Sequence, residues 1–230
     1  MAVFHFIRQQ YGFVRLYARK EEKTKANRYS DALIIYTATL YPMLYWFFSS
    51  PRAFNWFVEK EFFQVENVLL TQIASVFYVI IIAYYIVRTT AIYLKTNYFN
   101  IPKNLIILGT LLSWYFGIVF FNNDLVFTLL NVVSHGIPYM ALIYLKEIDL
   151  RPKEEMGVLF HFKSAKGLFL FVLLILGIAF AEEYLWEILV WQENFESNLD
   201  TFKLQFVLVP LLTVPQFTHY LLDGFIWKSK

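Results

Sequence analysis

Six apolar stretches, at 31–49, 67–87, 104–121, 124–145, 167–190 and 204–227, run for about 20 residues each with few charges. That is the length a helix needs to cross the hydrocarbon core of a bilayer. The expectation is an all-α integral membrane protein, a six-span helical bundle forming one membrane domain over 1–230. Only Asn122 and Asn123 separate the third and fourth stretches, which makes them an antiparallel hairpin. Composition agrees, with 58% hydrophobic residues, 20% aromatic residues and a mean hydropathy of +0.48. Phe suits lipid-facing positions, while Tyr and Trp suit the interfaces.

The basic residues alternate along the chain. With the N-terminus placed in the cytoplasm, 17 of the 20 Lys and Arg fall on cytoplasmic segments. Only Arg52, Lys60 and Lys203 fall outside. The positive-inside rule then predicts six spans with both termini cytoplasmic, in a bacterial cytoplasmic (inner) membrane. No secretory signal peptide is visible, because the N-terminus runs into charged residues. Within the cytoplasmic segment 1–29, Val3, Phe4, Ile7, Tyr11 and Val14 share one helical face, and His5, Arg8, Gln9, Gly12 and Arg15 share another. This predicts an amphipathic helix at the membrane interface, or one folded back under the bundle. A second interfacial segment is expected at 52–66, with Phe54, Trp56, Phe57, Phe62 and Phe63.

Ionisable groups at membrane depth are expensive and are kept mostly where they face a protein interior or a wet cavity. The sixth span carries Gln216, His219 and Asp223 on one side of a helix, after Pro210 and Pro215. His219 and Asp223, four apart, can ligate one metal, or the carboxylate can fix the imidazole tautomer. Equally, they can bond each other near the cytoplasmic interface. The fourth span carries Thr128, Asn131, His135 and Tyr139 on one stripe, with Gly136 and Pro138 beside the histidine. His135 is either a site residue or a satisfied packing histidine. Along ideal helices His135 and His219 differ in depth by roughly 6 Å, which tilt or a kink could close. His5 could reach the same place from below. His5, His135, His219 and Asp223 would form a three-His, one-carboxylate set suited to a single iron, zinc or manganese ion. Asp223 and Tyr139 are the candidate catalytic groups, with Gln9, Gln216 and Asn131 supplying hydrogen bonds.

The chain has no cysteine, so thiolate nucleophiles, disulfides and Cys-bound metals are excluded. It has no pair of HxxH motifs, no HExxH and no phosphate-binding glycine loop, and it shows no basic groove for nucleic acid. Glu182, Glu183 and Glu187 end the fifth span. The readings open to them are a proton or cation path, a second metal site, or glutamates solvated beside interfacial Trp186 and Trp191. His161 lies in a basic inner loop that suits anionic headgroups, and no catalytic role is assigned to it.

Three blocks carry a family resemblance: His5, Phe6, Ile7, Arg8, Gln9, Gln10, Tyr11 and Gly12; His135, Gly136, Ile137, Pro138 and Tyr139; and His219 to Trp227 with Asp223 inside. They resemble signature blocks of uncharacterised bacterial multi-span membrane proteins. In style the histidine distribution is also similar to membrane carotenoid-cleaving dioxygenases, which hold one iron by histidines on several spans. The chain departs from that pattern by offering His219 and Asp223 on its sixth span instead of two histidines. These readings lead to a metal-dependent membrane enzyme acting on a lipid-soluble substrate. The alternatives are a non-catalytic subunit of a larger membrane complex, with membrane lipids and proteins as partners, and a small transporter or proton-conducting protein.

Overall fold

The structure, a computed structural model, describes residues 2–49, 65–192 and 204–226. The interfacial segment expected at 52–66 lies almost wholly outside the described residues. Among the described residues seven α-helices follow one another: α1 (Ala2–Tyr17), α2 (Lys25–Phe48), α3 (Val68–Thr96), α4 (Ile101–Trp114), α5 (Asp124–Ile143), α6 (Ala165–Trp186) and α7 (Gln205–Ile226). Helices α4, α5 and α6 each continue into a wider π-helical turn, at Tyr115–Phe120, Tyr144–Asp149 and Glu187–Trp191. No strand occurs among the described residues.

Short polar side chains start these helices by accepting from backbone N–H groups that have no partner within the first turn. Thr24 accepts from the Asn27 N–H at 3.1 Å, Asn67 from Leu70 at 3.0 Å, Asn100 from Lys103 at 3.2 Å and Ser164 from Gly167 at 3.0 Å. Asn97, in the left-handed region at φ 53°, ends α3. Among the described residues four helices are long and apolar enough to cross a membrane: Val68–Thr96, Ile101–Phe120, Leu125–Asp149 and Ala165–Trp191. The stretches expected as first and last spans are helical too, in α2 and α7. They are more polar, because α2 holds Ser30, Asp31, Thr37 and Thr39, and α7 holds Thr213, Gln216, Thr218 and His219.

The chain divides into two compact units, Met1–Tyr139 and Met140–Lys230. In the first, α2 packs against α3 and α4, and α1 packs against both α2 and α4. One core cluster joins Ile7 and Val14 of α1 to Ile34, Ile35, Tyr85 and Ile107. Another joins Val3 and Phe6 to Met43, Trp46, Trp114, Ile118 and Phe127. Late residues of α1 therefore meet early residues of α2 and α4, and early residues of α1 meet late ones. Helix α1 runs antiparallel to both, for about 24 Å of rise.

On α1, Ile7 and Val14 are buried and so are His5 and Gln10, while Phe4, Arg8 and Tyr17 stay exposed. A helix with one apolar and one polar side has the pattern of an interfacial helix. The same pattern serves a helix whose polar side meets polar groups on its neighbours, which is the case here.

In the second unit, α7 packs against the turn at Glu187–Trp191, where the Gln205 amide donates to the Val190 carbonyl at 3.1 Å. At the start of α6, a Cβ on Gly167 would overlap the backbone of His161 and Phe162, so only glycine permits that approach. Helix α6 exposes nearly all of its apolar length, and α3 exposes Leu69, Val76, Phe77 and Val79 among others. Both suit a hydrocarbon solvent.

Candidate functional site

The site begins with a proline. Pro138 lies inside α5 and has no N–H, so the carbonyl one turn earlier, on Ser134, loses its helical partner. Helix α1 fills the gap. Gln10 Nε2 donates to the Ser134 carbonyl at 3.4 Å, and Gln9 Nε2 donates to the His135 carbonyl at 3.2 Å. Two adjacent glutamines thus satisfy the stretch of α5 that the proline opens, and they fix α1 against it. Replacing Gln10 with leucine is expected to leave the Ser134 carbonyl without this bond and cost about 1–3 kcal/mol. The check is the thermal unfolding midpoint in detergent. Adding Pro138→Ala to that variant restores an N–H to the ladder and is expected to recover part of the loss.

This anchoring brings two imidazoles together. The His5 and His135 rings meet edge to face, 5.1 Å between centroids at 73°. Their ligand nitrogens lie within 4.8 Å of one another. His5 is 8% exposed and His135 is half-buried. Phe6 abuts the His135 ring at 4.2 Å and reaches Trp114 at 5.9 Å, so the pair has an aromatic wall.

One turn before His135, Asn131 is buried and donates from Nδ2 to the Phe127 carbonyl at 3.0 Å. Its amide occupies the space a side chain on Gly117 would need; a Cβ there would overlap Nδ2. Gly117 lies in the π-helical turn that ends α4, so the missing side chain lets α4 and α5 approach just below the histidine. Thr128, expected on the same stripe, instead faces outward. Tyr139, one turn after His135, is half-buried and is the last residue of the first unit.

The remaining expected ligands belong to the second unit. His219 is half-buried on α7, beside Tyr220. Asp223 lies on the same helix, and its side chain is outside the described residues. Gln216, placed with them by spacing, donates to Glu182 Oε1 on α6 at 3.3 Å. On α6, Glu182 makes this interhelical bond and Glu183 is exposed, while Glu187, first residue of the π-helical turn that follows, is buried.

A second polar centre in the first unit was not foreseen. Lys103 Nζ on α4 lies 2.8 Å from Glu21 Oε2 and 3.2 Å from Asp31 Oδ1. Arg15 Nη1 lies 3.2 Å from Asp31 Oδ2. Asn100 Nδ2 donates to Glu21 Oε1 at 2.7 Å and to the Tyr17 carbonyl at 3.0 Å. The end of α1 is thereby tied to the starts of α2 and α4, two cations against two carboxylates. The signal in the sequence was Asp31 at the edge of an apolar stretch. In the sequence Lys103 reads as cytoplasmic positive charge, and Arg15 as that and as part of the polar face of an amphipathic helix.

Comparison with family models, curated proteins and solved structures finds no match to this chain.

Proposed function

We propose that His5 and His135 form the core of a metal site at which a membrane enzyme acts on a lipid-soluble substrate. The observation that carries this is the pairing of two imidazoles inside a helical unit, one from each of two helices that glutamines hold in register. Neutral imidazole is a good ligand for iron and zinc, and two imidazoles with their ligand atoms this close suit one ion. On sequence grounds His219 and Asp223 are the candidates for further ligands, and Tyr139 for a hydrogen-bonding group toward substrate. The metal would supply a Lewis acid or an oxygen-activating centre. The protein would supply the aromatic wall of Phe6 and Trp114, which favours an apolar substrate and keeps water away.

In this reading α2 and α7 join the four more apolar helices to make six spans of a bacterial inner membrane. The positive-inside rule puts the starts of α2 and α4 at the cytoplasmic face. Helix α1 is then re-entrant, entering from that face and carrying His5 into the membrane, a depth of about 18 Å from Tyr17.

The test is metal content of detergent-purified protein by plasma mass spectrometry, with His5→Ala, His135→Ala and His219→Ala beside wild type. About one ion per chain, lost in the first two variants, is the expected result. A well-folded wild type without metal, or a His135→Ala variant that keeps it, would overturn the reading. Proton handling would then lead, favoured by the Glu182–Gln216 pair inside the second unit.

A further inference from the structure

Two of the cations in the first unit that sit among its helices, Arg15 and Lys103, face carboxylates. Arg88 on α3 does not. Among the described residues no carboxylate lies within 4.0 Å of its guanidinium. Nη2 donates to Asn27 Oδ1 at 2.7 Å, while Nε is buried and meets no acceptor. An arginine has five donors in a rigid fork matched to carboxylate or phosphate, and here a neutral amide takes one of them.

Asn27 also sets the level of this cation. It is the third residue of α2, whose first turn carries exposed Lys25 and Arg28. Arg88 thus stands level with a helix end, although α3 itself runs on to Thr96. Lys25 and Arg28 stand exposed at about the same level, in a part of the chain that also exposes a broad apolar helix face. From Arg88 that face descends through Tyr84, Ile80 and Phe77, all exposed. Residues 4, 8 and 11 positions earlier lie on the same side of a helix as Arg88. Arg88 to Phe77 spans about 16 Å of rise. That is about half the ~30 Å hydrocarbon thickness, or one leaflet.

We propose that Arg88, steadied by Asn27, binds the phosphate of an anionic phospholipid whose acyl chain lies along Tyr84, Ile80 and Phe77. The charge identifies the ligand: a guanidinium that faces a neutral amide and no carboxylate, level with two exposed cations, selects a negative headgroup. The apolar face below it separates a lipid from a free phosphate, which would make no use of Tyr84, Ile80 or Phe77.

The experiment uses the full chain in detergent, loaded with phosphatidylglycerol or phosphatidylcholine and read by native mass spectrometry. Wild type is expected to retain phosphatidylglycerol in preference to phosphatidylcholine. Arg88→Gln is expected to weaken that retention roughly tenfold, the loss of a charge-assisted hydrogen bond to phosphate. Asn27→Asp keeps the arginine and gives it a carboxylate, so it is expected to expel the lipid while preserving the fold. If Arg88→Gln does not fold, Asn27→Asp decides the matter. Equal retention of the two lipids by wild type would overturn the proposal. So would unchanged phosphatidylglycerol retention in Asn27→Asp, or its displacement by millimolar inorganic phosphate.

Discussion

Lys103→Met is expected to destabilise the first unit by about 3–5 kcal/mol, the penalty of removing one partner from a buried ion pair. The Asp31 side chain is 2% exposed and Lys103 is 9% exposed, so neither can turn to water without moving a helix. In the variant, Asp31 keeps only Arg15, and Glu21 keeps only the Asn100 amide. Glu21 is nearer the surface and recovers some solvation, so the penalty falls mainly on Asp31. Thermal unfolding in detergent measures it. Asp31→Leu combined with Lys103→Met removes charge and counter-charge together and is expected to be the more stable of the two variants, since a packed apolar pair can match a buried ion pair. A Lys103→Met variant within about 0.5 kcal/mol of wild type would refute the buried network. The variant also bears on the site. The network fixes the far end of α1, twelve residues or about 18 Å from His5, and so sets the height at which His5 meets His135.

Much of the helical architecture was legible in the sequence because bilayer-length apolar runs are local signals. The place of α1 was not. Its stripe of Val3, Ile7 and Val14 fits an interface as well as a protein interior, and the decision rests on Gln9 and Gln10, whose partners are more than a hundred residues away. Pro138 marked the spot without saying what would satisfy the freed carbonyl. His5 and His135 could be nominated because histidines within apolar surroundings are few. Their edge-to-face meeting needed the antiparallel course of α1, which no spacing encodes. The charge network escaped for a related reason. A lysine before an apolar run is read as a topology signal, and only packing shows that Lys103 turns inward to Asp31. Glu182 escaped because Glu183 and Glu187, four apart, make the more conspicuous pair; yet Glu182 accepts from Gln216 across two helices.

Trp46→Ala is expected to cost about 3–5 kcal/mol, the usual range for deleting a fully buried large aromatic side chain. Trp46 is 0% exposed and stands edge-on to Phe127, 5.4 Å between centroids at 85°. Its cluster joins the end of α2 to α4 and to the start of α5, with Val3 and Phe6 of α1 against it. Association of helices in lipid depends on such close contacts, because surrounding chains are as apolar as the side chains themselves. The void left by alanine would loosen α5 two turns before His135, and with it the Asn131 amide seated against Gly117. Trp46→Phe keeps much of the volume and the aromatic edge and is expected to cost less than half as much as Trp46→Ala. Unfolding midpoints of both variants give the packing contribution. The same two proteins, assayed for metal, separate packing from chemistry: if His5 and His135 hold an ion, Trp46→Ala weakens its retention although Trp46 offers no ligand, whereas Trp46→Phe retains it. Full retention in a destabilised Trp46→Ala would show that α1 alone, through Gln9, Gln10 and Phe6, holds the histidine pair in register.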